Sequence, residues 1–490
     1  MDFLDPVKKR AHTRRLFIGY FLVGVAILMA SAILVILSYG YDLDRKTGQV
    51  IQNGLIFANA APDAATIYLN GKENGQTDKR LTVPAGQYDI EYRRQGYRTW
   101  KKQIQLDGSS IERLVYARLF PEKLEQAEST VFDVAPAFIT QSPDRRWIVA
   151  SQGANIQTMQ VFDTANVDDA AKSISLPTGL LTPAADASLG QLVLVEWSSD
   201  NRHILVEHRY DDKREFLMID RQDAAASINL NKVLGVTPSE IVLRDKKFDQ
   251  LYVYDATAQT LSRANTKTPA VTPLLNQVVS FKPYGADMLL LATKDTAKPE
   301  MVQVELWDDG ERYKITSYKD TPVLLDMAQF DGDWYVAISP VKEGRVYIYK
   351  DPVDRIKDKN LAPFGLLRLA DPRYLSFSAN TRFLAVQSGA SFVSYDFETK
   401  RRFSFKAAGE VPVEQKARWM DGHRLVLSQN EKIVVIEFDG ANRQELAATR
   451  ANGLPFFDRD YERLYTVTAA KDDAAKSALT RSSLKLDVEP

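Results

Sequence analysis

The chain has no cysteine among its 490 residues. That absence excludes disulfides, thiolate metal sites, a cysteine nucleophile and the acylated cysteine of a lipoprotein anchor. Any part of the chain outside the cytoplasm must fold on packing alone, which suits a bacterial envelope better than a eukaryotic ectodomain. Histidine is almost as scarce: His12, His203, His208 and His423 are the four. His203 and His208 stand five apart on one predicted strand, so their side chains leave by opposite faces and cannot share a metal. Net charge is nearly absent, at −1, and nothing in it points to nucleic acid or a strongly charged substrate. No P-loop, dinucleotide-binding glycine fingerprint, kinase signature or G-x-S-x-G elbow occurs.

What is present is an ordinary globular balance, 45% hydrophobic against 26% charged residues, in a chain long enough for about two to four domains. One segment departs from it. Leu16 to Ser38 reads LFIGYFLVGVAILMASAILVILS without a charge, and as a helix it is long enough to cross about 30 Å of hydrocarbon. Lys8, Lys9, Arg10, Arg14 and Arg15 crowd its N-terminal side, whereas Asp42, Asp44, Arg45 and Lys46 balance beyond it. The positive-inside rule therefore keeps the N-terminus cytoplasmic and everything after about residue 40 outside. The competing reading is a signal peptide cleaved after the small pair Ala30 and Ala32. Cleavage there would leave a mature chain starting Ile33-Leu34-Val35-Ile36-Leu37, a poor soluble terminus. Gly19 and Gly24 form no close-packing pair, so no dimerisation motif is read into the helix.

From about Leu55 to Phe120 short alternating segments are separated by turn residues, as in a half-buried antiparallel sheet. Ile67 and Leu69 share a face before Asn70-Gly71, a tight hairpin signal. Pro84-Ala85-Gly86 makes the next turn. Tyr88, Ile90 and Tyr92 then oppose Asp89, Glu91 and Arg93, and Gly96 precedes Trp100, Ile104 and Leu106. On Pro62, Asn70-Gly71, Gly75, Thr77, Pro84, Gly86, Tyr88, Gly96, Tyr97 and Trp100 this segment resembles a PEGA domain, a β-sandwich module of bacterial and archaeal surface proteins. The resemblance covers about a seventh of the chain and departs after Thr77, where the family often has proline and this chain has Asp78. It implies a spacer or adhesive module and brings no catalytic residues. Arg93, Arg94, Arg98, Lys101 and Lys102 make the segment locally basic, which reads as a solvated strand face before it reads as a site for anionic polymer or lipid.

After PEKLEQAES, a linker expected to be helical, a unit of about 45 residues recurs. Each copy opens with a short apolar strand, a polar turn and a strongly apolar strand. The clearest openings begin at Ala137, Val193, Tyr374 and Ala417, the weaker at Ile241, Val278, Met327 and Pro455. A third strand ending in an acid follows most of them, as in MQVFD, EFLMID and FVSYDFE. Units of this length with four strands are propeller blades, and Ser142-Pro143-Asp144, with Ser198-Ser199-Asp200 next, resembles the turn of TolB-like or WD40-like β-propeller repeats. Eight blades are expected, with seven as the alternative. A β-sandwich array or an open solenoid fits the alternation too, but a closed ring leaves fewer free sheet edges. The last unit lacks a fourth strand, and the unpartnered segment Ser129 to Val134 is expected to supply it and latch the ring.

The fold class expected is all-β: a transmembrane helix, a small PEGA-like β-sandwich, then a β-propeller. The divisions are a cytoplasmic basic segment (1–15), helix (16–39), linker (40–54), PEGA-like domain (55–120), linker (121–128) and propeller (129–490). No catalytic, cofactor-binding or metal residue is assigned. Asp331/Asp333 and Asp458/Asp460 invite thoughts of calcium or a glycosidase pair, yet each sits in a repeat turn, where aspartate serves the backbone. A sialidase-type box is not matched, because Arg146 stands where it needs glycine. The function expected is a non-enzymatic, membrane-anchored extracytoplasmic scaffold of the cell envelope that binds a protein, peptide or polysaccharide, with no nucleic acid and no cofactor. The alternative is an envelope carbohydrate hydrolase or lyase working through propeller-loop carboxylates.

Overall fold

The computed structural model describes residues 6–38, 41–43, 50–185, 190–295, 297–450 and 453–486. Contacts divide the chain into two compact units, one reaching to Glu122 and the other spanning Lys123–Asp487.

The first unit begins with an α-helix over Pro6–Ser38. It takes in most of the basic segment expected to precede the membrane run, because nothing between Pro6 and Leu16 breaks a helix. Within it, Lys9–Ile36 contains an 18-residue stretch of mean hydropathy 2.5 with none of it buried against protein. Phe17, Tyr20, Leu28 and Leu34 are each more than 65% exposed. One helix is thus long and apolar enough to cross a membrane, as a single-pass anchor or a signal peptide would.

Two four-stranded sheets follow. One joins Tyr41–Leu43, Val50–Ala61, Lys79–Pro84 and Ile111–Arg118; the other orders Lys72–Gln76, Thr66–Leu69, Gly86–Arg93 and Trp100–Leu106. Strand structure therefore starts at Tyr41, inside the stretch expected to be a linker. Ile56, Ile67, Ile90, Tyr92, Trp100, Leu106 and Leu114 are buried, and the Tyr92 and Trp100 rings stack at 4.8 Å. Asn70 and Gly71 both have positive φ, 48° and 77°, the type I′ geometry that a two-residue hairpin loop requires. Asp78 lies at φ 65°, a conformation closed to proline, which accounts for the departure from the family pattern at that position. The basic stretch is largely spoken for. Glu91 pairs with Arg93 and with Lys101 at 3.0 Å, and Lys102 lies over the Tyr116 ring.

The second unit is a β-propeller of successive four-stranded sheets, numbered here as blades 1 to 8. Their inner strands are Ile139–Gln141, Gln191–Trp197, Glu240–Leu243, Val278–Tyr284, Val323–Phe330, Tyr374–Phe377, Arg418–Trp419 and Phe456–Phe457. Second strands such as Phe383–Ser388 are buried at nearly every position, because both sheet faces are covered by neighbouring blades. Outer strands such as Arg401–Lys406 are mostly exposed. Apolar clusters bridge consecutive blades, for example Val149 and Met159 with Ile204 and Leu217 between blades 1 and 2.

Blade 8 takes its outer strand from the other end of the unit. Gln126–Phe132 pairs antiparallel with Ser477–Ser483, from Ser477 opposite Phe132 to Ser482 opposite Gln126. Phe132, Phe456 and Leu479 then pack with Ile148 and Phe162 of blade 1. This corrects the helical linker: the chain turns near Pro121 and is already extended at Gln126, because a seven-residue edge strand leaves a row of backbone groups to be paired.

Repeat turns share one chemistry. Ser142 Oγ accepts from Trp147 N at 3.0 Å and Asp144 Oδ1 from Arg146 N at 3.1 Å; Ser378 and Asn380 repeat this with Phe383 N and Arg382 N. The acids closing the third strands are clamps. Arg146–Asp163, Arg202–Asp220 and Arg382–Asp396 tie the start of strand two to the end of strand three in blades 1, 2 and 6. Blades 3, 5 and 8 use the reversed pairs Asp249–Lys267, Asp333–Lys350 and Glu462–Lys485.

Candidate ligand site on the propeller axis

The residues weighed from the sequence as possible chemistry are held apart. His203 stacks on Phe248 at 3.9 Å and contacts Asp200 at 2.6 Å, whereas His208 is fully buried against Glu215. His423 lies in the turn of blade 7, where burial holds its imidazole down to about 4. Asp333 pairs with Lys350, and Asp458 Oδ1 accepts from Glu462 N and Arg463 N. Among the described residues no group of three or more His, Cys, Asp or Glu is placed to hold a metal ion.

A cleft of about 1220 Å³ opens between blades 2 and 3 and is lined by Tyr210, Lys213, Arg214, Val236, Pro238 and Val253 among others. Of its two acids, Asp255 is exposed and caps the turn after its strand, whereas Glu215 is 4% exposed and fully engaged. One oxygen takes Thr182 N at 2.8 Å and His208 Nδ1 at 2.9 Å; the other takes Thr182 Oγ1 at 2.8 Å and Asn229 Nδ2 at 2.7 Å. Burial alone would raise this carboxyl, but the bonds dominate and hold it at about 2. Gly190 stands close against the second strand of this blade: at φ 69° an added Cβ would lie 2.3 Å from the Arg209 carbonyl oxygen. The cleft rim is tied down as well, with Arg214 against Glu207 and the Ser239 carbonyl, and Lys232 on the Gly179 carbonyl.

The propeller axis is different. A cavity of about 200 Å³ touches Ile139 to Gln141, Leu194, Arg418, Trp419, Phe456 and Phe457. These belong to the inner strands of blades 1, 2, 7 and 8, so the cavity lies on the axis they surround. Trp197 and Trp419 end equivalent inner strands and each donates its indole N–H to the preceding blade, to Thr140 Oγ1 at 2.9 Å and Ser376 Oγ at 3.1 Å. Arg145 closes the wall by donating to the Met420 carbonyl at 2.7 Å and lying 4.1 Å over the Tyr461 ring.

Arg418 projects at this cavity, and Lys416 is two residues before it. Both are exposed to water, yet protein surrounds them, and that desolvation pushes both below their ordinary values. Lys416 is within electrostatic reach of Lys282 and Asp326, which lie on blades 4 and 5, so these groups share the interior of the ring. Asp326 is already occupied: Oδ1 takes Lys282 Nζ at 2.5 Å and Met327 N at 2.8 Å, and Oδ2 takes Phe377 N at 3.2 Å. No side-chain hydrogen bond or ion pair of Lys416 or Arg418 is formed among the described residues. Three carboxylates gather on blades 2 and 3. Glu196 is neutralised by Lys246 and Glu207 by Arg209, while burial and those two neighbours push Glu240 up.

The sequence signalled these axial residues only as members of a repeat opening, AlaArgTrpMet from Ala417. Nothing in one sequence marks which inner-strand positions lack partners.

These features define a β-propeller joined to a small two-sheet module and an N-terminal apolar helix, a fold that supports binding and scaffolding in general. Residues 54–118 match the PEGA domain family. Among solved structures, the chain is similar to the dihydro-heme d1 dehydrogenase NirN in complex with DHE, at 16% identity and a TM-score of 0.40, covering 64% of this chain and 67% of that one. It is also similar to the Dos1 propeller, at 12% identity and a TM-score of 0.44 over 74% and 95% of the two chains. The β-propeller domain of Cps50 (Swd1) from Myceliophteria thermophila follows at 11%, with a TM-score of 0.38 over 66% and 98%. No curated protein matches the chain. The propeller assignment rests on the sheets themselves.

Proposed function

We propose that the protein is a membrane-anchored, extracytoplasmic scaffold of the cell envelope whose propeller binds a protein or peptide partner. The observation that carries this reading is the uncharged run Leu16 to Ser38, set in a helix that buries none of its apolar surface, with five basic residues before it and two β-built units after it. Exposed apolar helix of that length needs hydrocarbon around it, and the basic flank stays in the cytoplasm. The PEGA-like module then stands between the membrane and the propeller along the chain. A reporter that is active only outside the cytoplasm, fused after Pro490, should be active, and the intact protein should bring a partner with it from its own membranes. A reporter active only in the cytoplasm would overturn the topology.

The hydrolase or lyase reading has one group in its favour, Glu240, an acid with a raised ionisation and no side-chain partner among the described residues. It stands beside two neutralised glutamates and lacks a second free carboxylate to work with.

A further inference from the structure

Charged side chains in a folded protein usually find partners. Around this ring Lys416 and Arg418, like Glu240 on blade 3, have no side-chain partner among the described residues. Lys416 and Arg418 stand two residues apart, Lys416 in the segment before the inner strand of blade 7 and Arg418 at the start of that strand. The nearest carboxylate, Asp326, has both oxygens taken. Two like charges are therefore held together in a partly desolvated channel, an arrangement that the fold by itself disfavours. Beside Arg418 the cavity mixes apolar and polar groups, Leu194, Trp419 and Phe457 with Thr140, Gln141 and Arg145, around about 200 Å³ of space. That volume is below the usual range for a drug-sized ligand, about 300–1,000 Å³, and suits a side chain entering from a larger molecule.

We infer that the channel at Lys416 and Arg418 binds an acidic peptide segment. Neither cation has a carboxylate partner among the described residues, so a chain carrying several carboxylates supplies what both lack. Arg418 receives one carboxylate in a two-point geometry and Lys416 receives the next as a point charge. The inference rests on the binding-scaffold reading and adds to it the chemistry of the partner and the place of contact.

The test uses the full chain in detergent micelles and a fluorescein-labelled peptide, Glu-Leu-Glu-Leu-Glu, with both ends blocked so that only side-chain carboxylates are charged. Anisotropy should report binding that weakens as salt is added. It should fall at least tenfold in Arg418→Gln and in Lys416→Gln, and stay unchanged in Lys213→Gln, which removes a cation from the blade 2–3 cleft. The neutral peptide Gln-Leu-Gln-Leu-Gln should not bind. Melting temperatures of the two channel variants should equal or exceed that of the parent, since no partner is lost; a drop in both would assign these cations a structural role and sink the inference. Binding that is absent, or equal in parent and channel variants, would overturn it. Trigalacturonate bound where the peptide is not would instead assign the channel to an acidic polysaccharide. Co-purification separates the wider reading: a native partner retained by both the parent and Arg418→Gln leaves the scaffold standing without this site, whereas no partner on the parent removes the scaffold itself.

Discussion

Glu215 and Arg418 are charges that their surroundings disfavour, and they meet opposite fates. Glu215 sits at the floor of the blade 2–3 cleft with four hydrogen bonds from Thr182, His208 and Asn229. Those bonds more than offset the desolvation, so the carboxylate is held ionised and Thr182 is pinned to blade 2. Arg418 suffers desolvation with nothing to offset it. The larger cavity therefore belongs to the architecture, and the smaller one is left with unspent electrostatic capacity.

The sharpest way to break this contrast is to remove the satisfied charge. Glu215→Ala strips a buried acid from three partners and leaves their donors facing an apolar gap, so it should lower the unfolding free energy of the propeller by about 3–5 kcal/mol in denaturant titration. A loss below 1 kcal/mol would show that the cleft floor is not the structural element described here.

Acid separates the blades next. The Glu215 carboxyl is depressed in the fold to about 2, so the stability it adds is full above its ordinary value near 4.5 and is lost as pH falls toward 2, about 3 kcal/mol in all. His423 is depressed to about 4. For a base this means that the folded state resists protonation, and stability falls as pH drops from about 6.5 through 4. Stability measured against pH should thus decline in two windows, the upper abolished by His423→Phe and the lower reduced by Glu215→Gln. A single decline unaffected by either substitution would contradict both assignments.

The smallest effect is expected where the charge is free. Arg418→Gln and Lys416→Gln should each change the unfolding free energy by less than about 0.5 kcal/mol, as at sites with no lost partner.

Much of the architecture was legible in the sequence because it follows from period and punctuation. Leu16 to Ser38 can only be a helix in an apolar setting, Asn70-Gly71 can hold the positive φ of a tight hairpin, and the repeat openings recur with their turn acids. Even the strand that completes blade 8 was visible near Ser129 to Val134, as an alternating segment without a local partner. The helical reading of PEKLEQAES failed because local propensity gave way to the unpaired edge of Ser477–Ser483, some 350 residues away in sequence. The acids that end the third strands were seen, but their role as clamps to Arg146, Arg202 and Arg382 was not. A cross-strand partner is fixed by register, and register is a tertiary fact.

The sequence by itself determined the apolar helix, the order of the β units and the repeating turn chemistry, since each depends on residues within a few positions of one another. Only the tertiary structure decided which charges are consumed and which are left over. Glu215 and Arg418 look alike in a sequence, as charged residues within the strands of a repeat unit. They differ because three residues from elsewhere on blade 2 and its approach loop converge on the first, while the second meets a mixed apolar and polar wall and another cation.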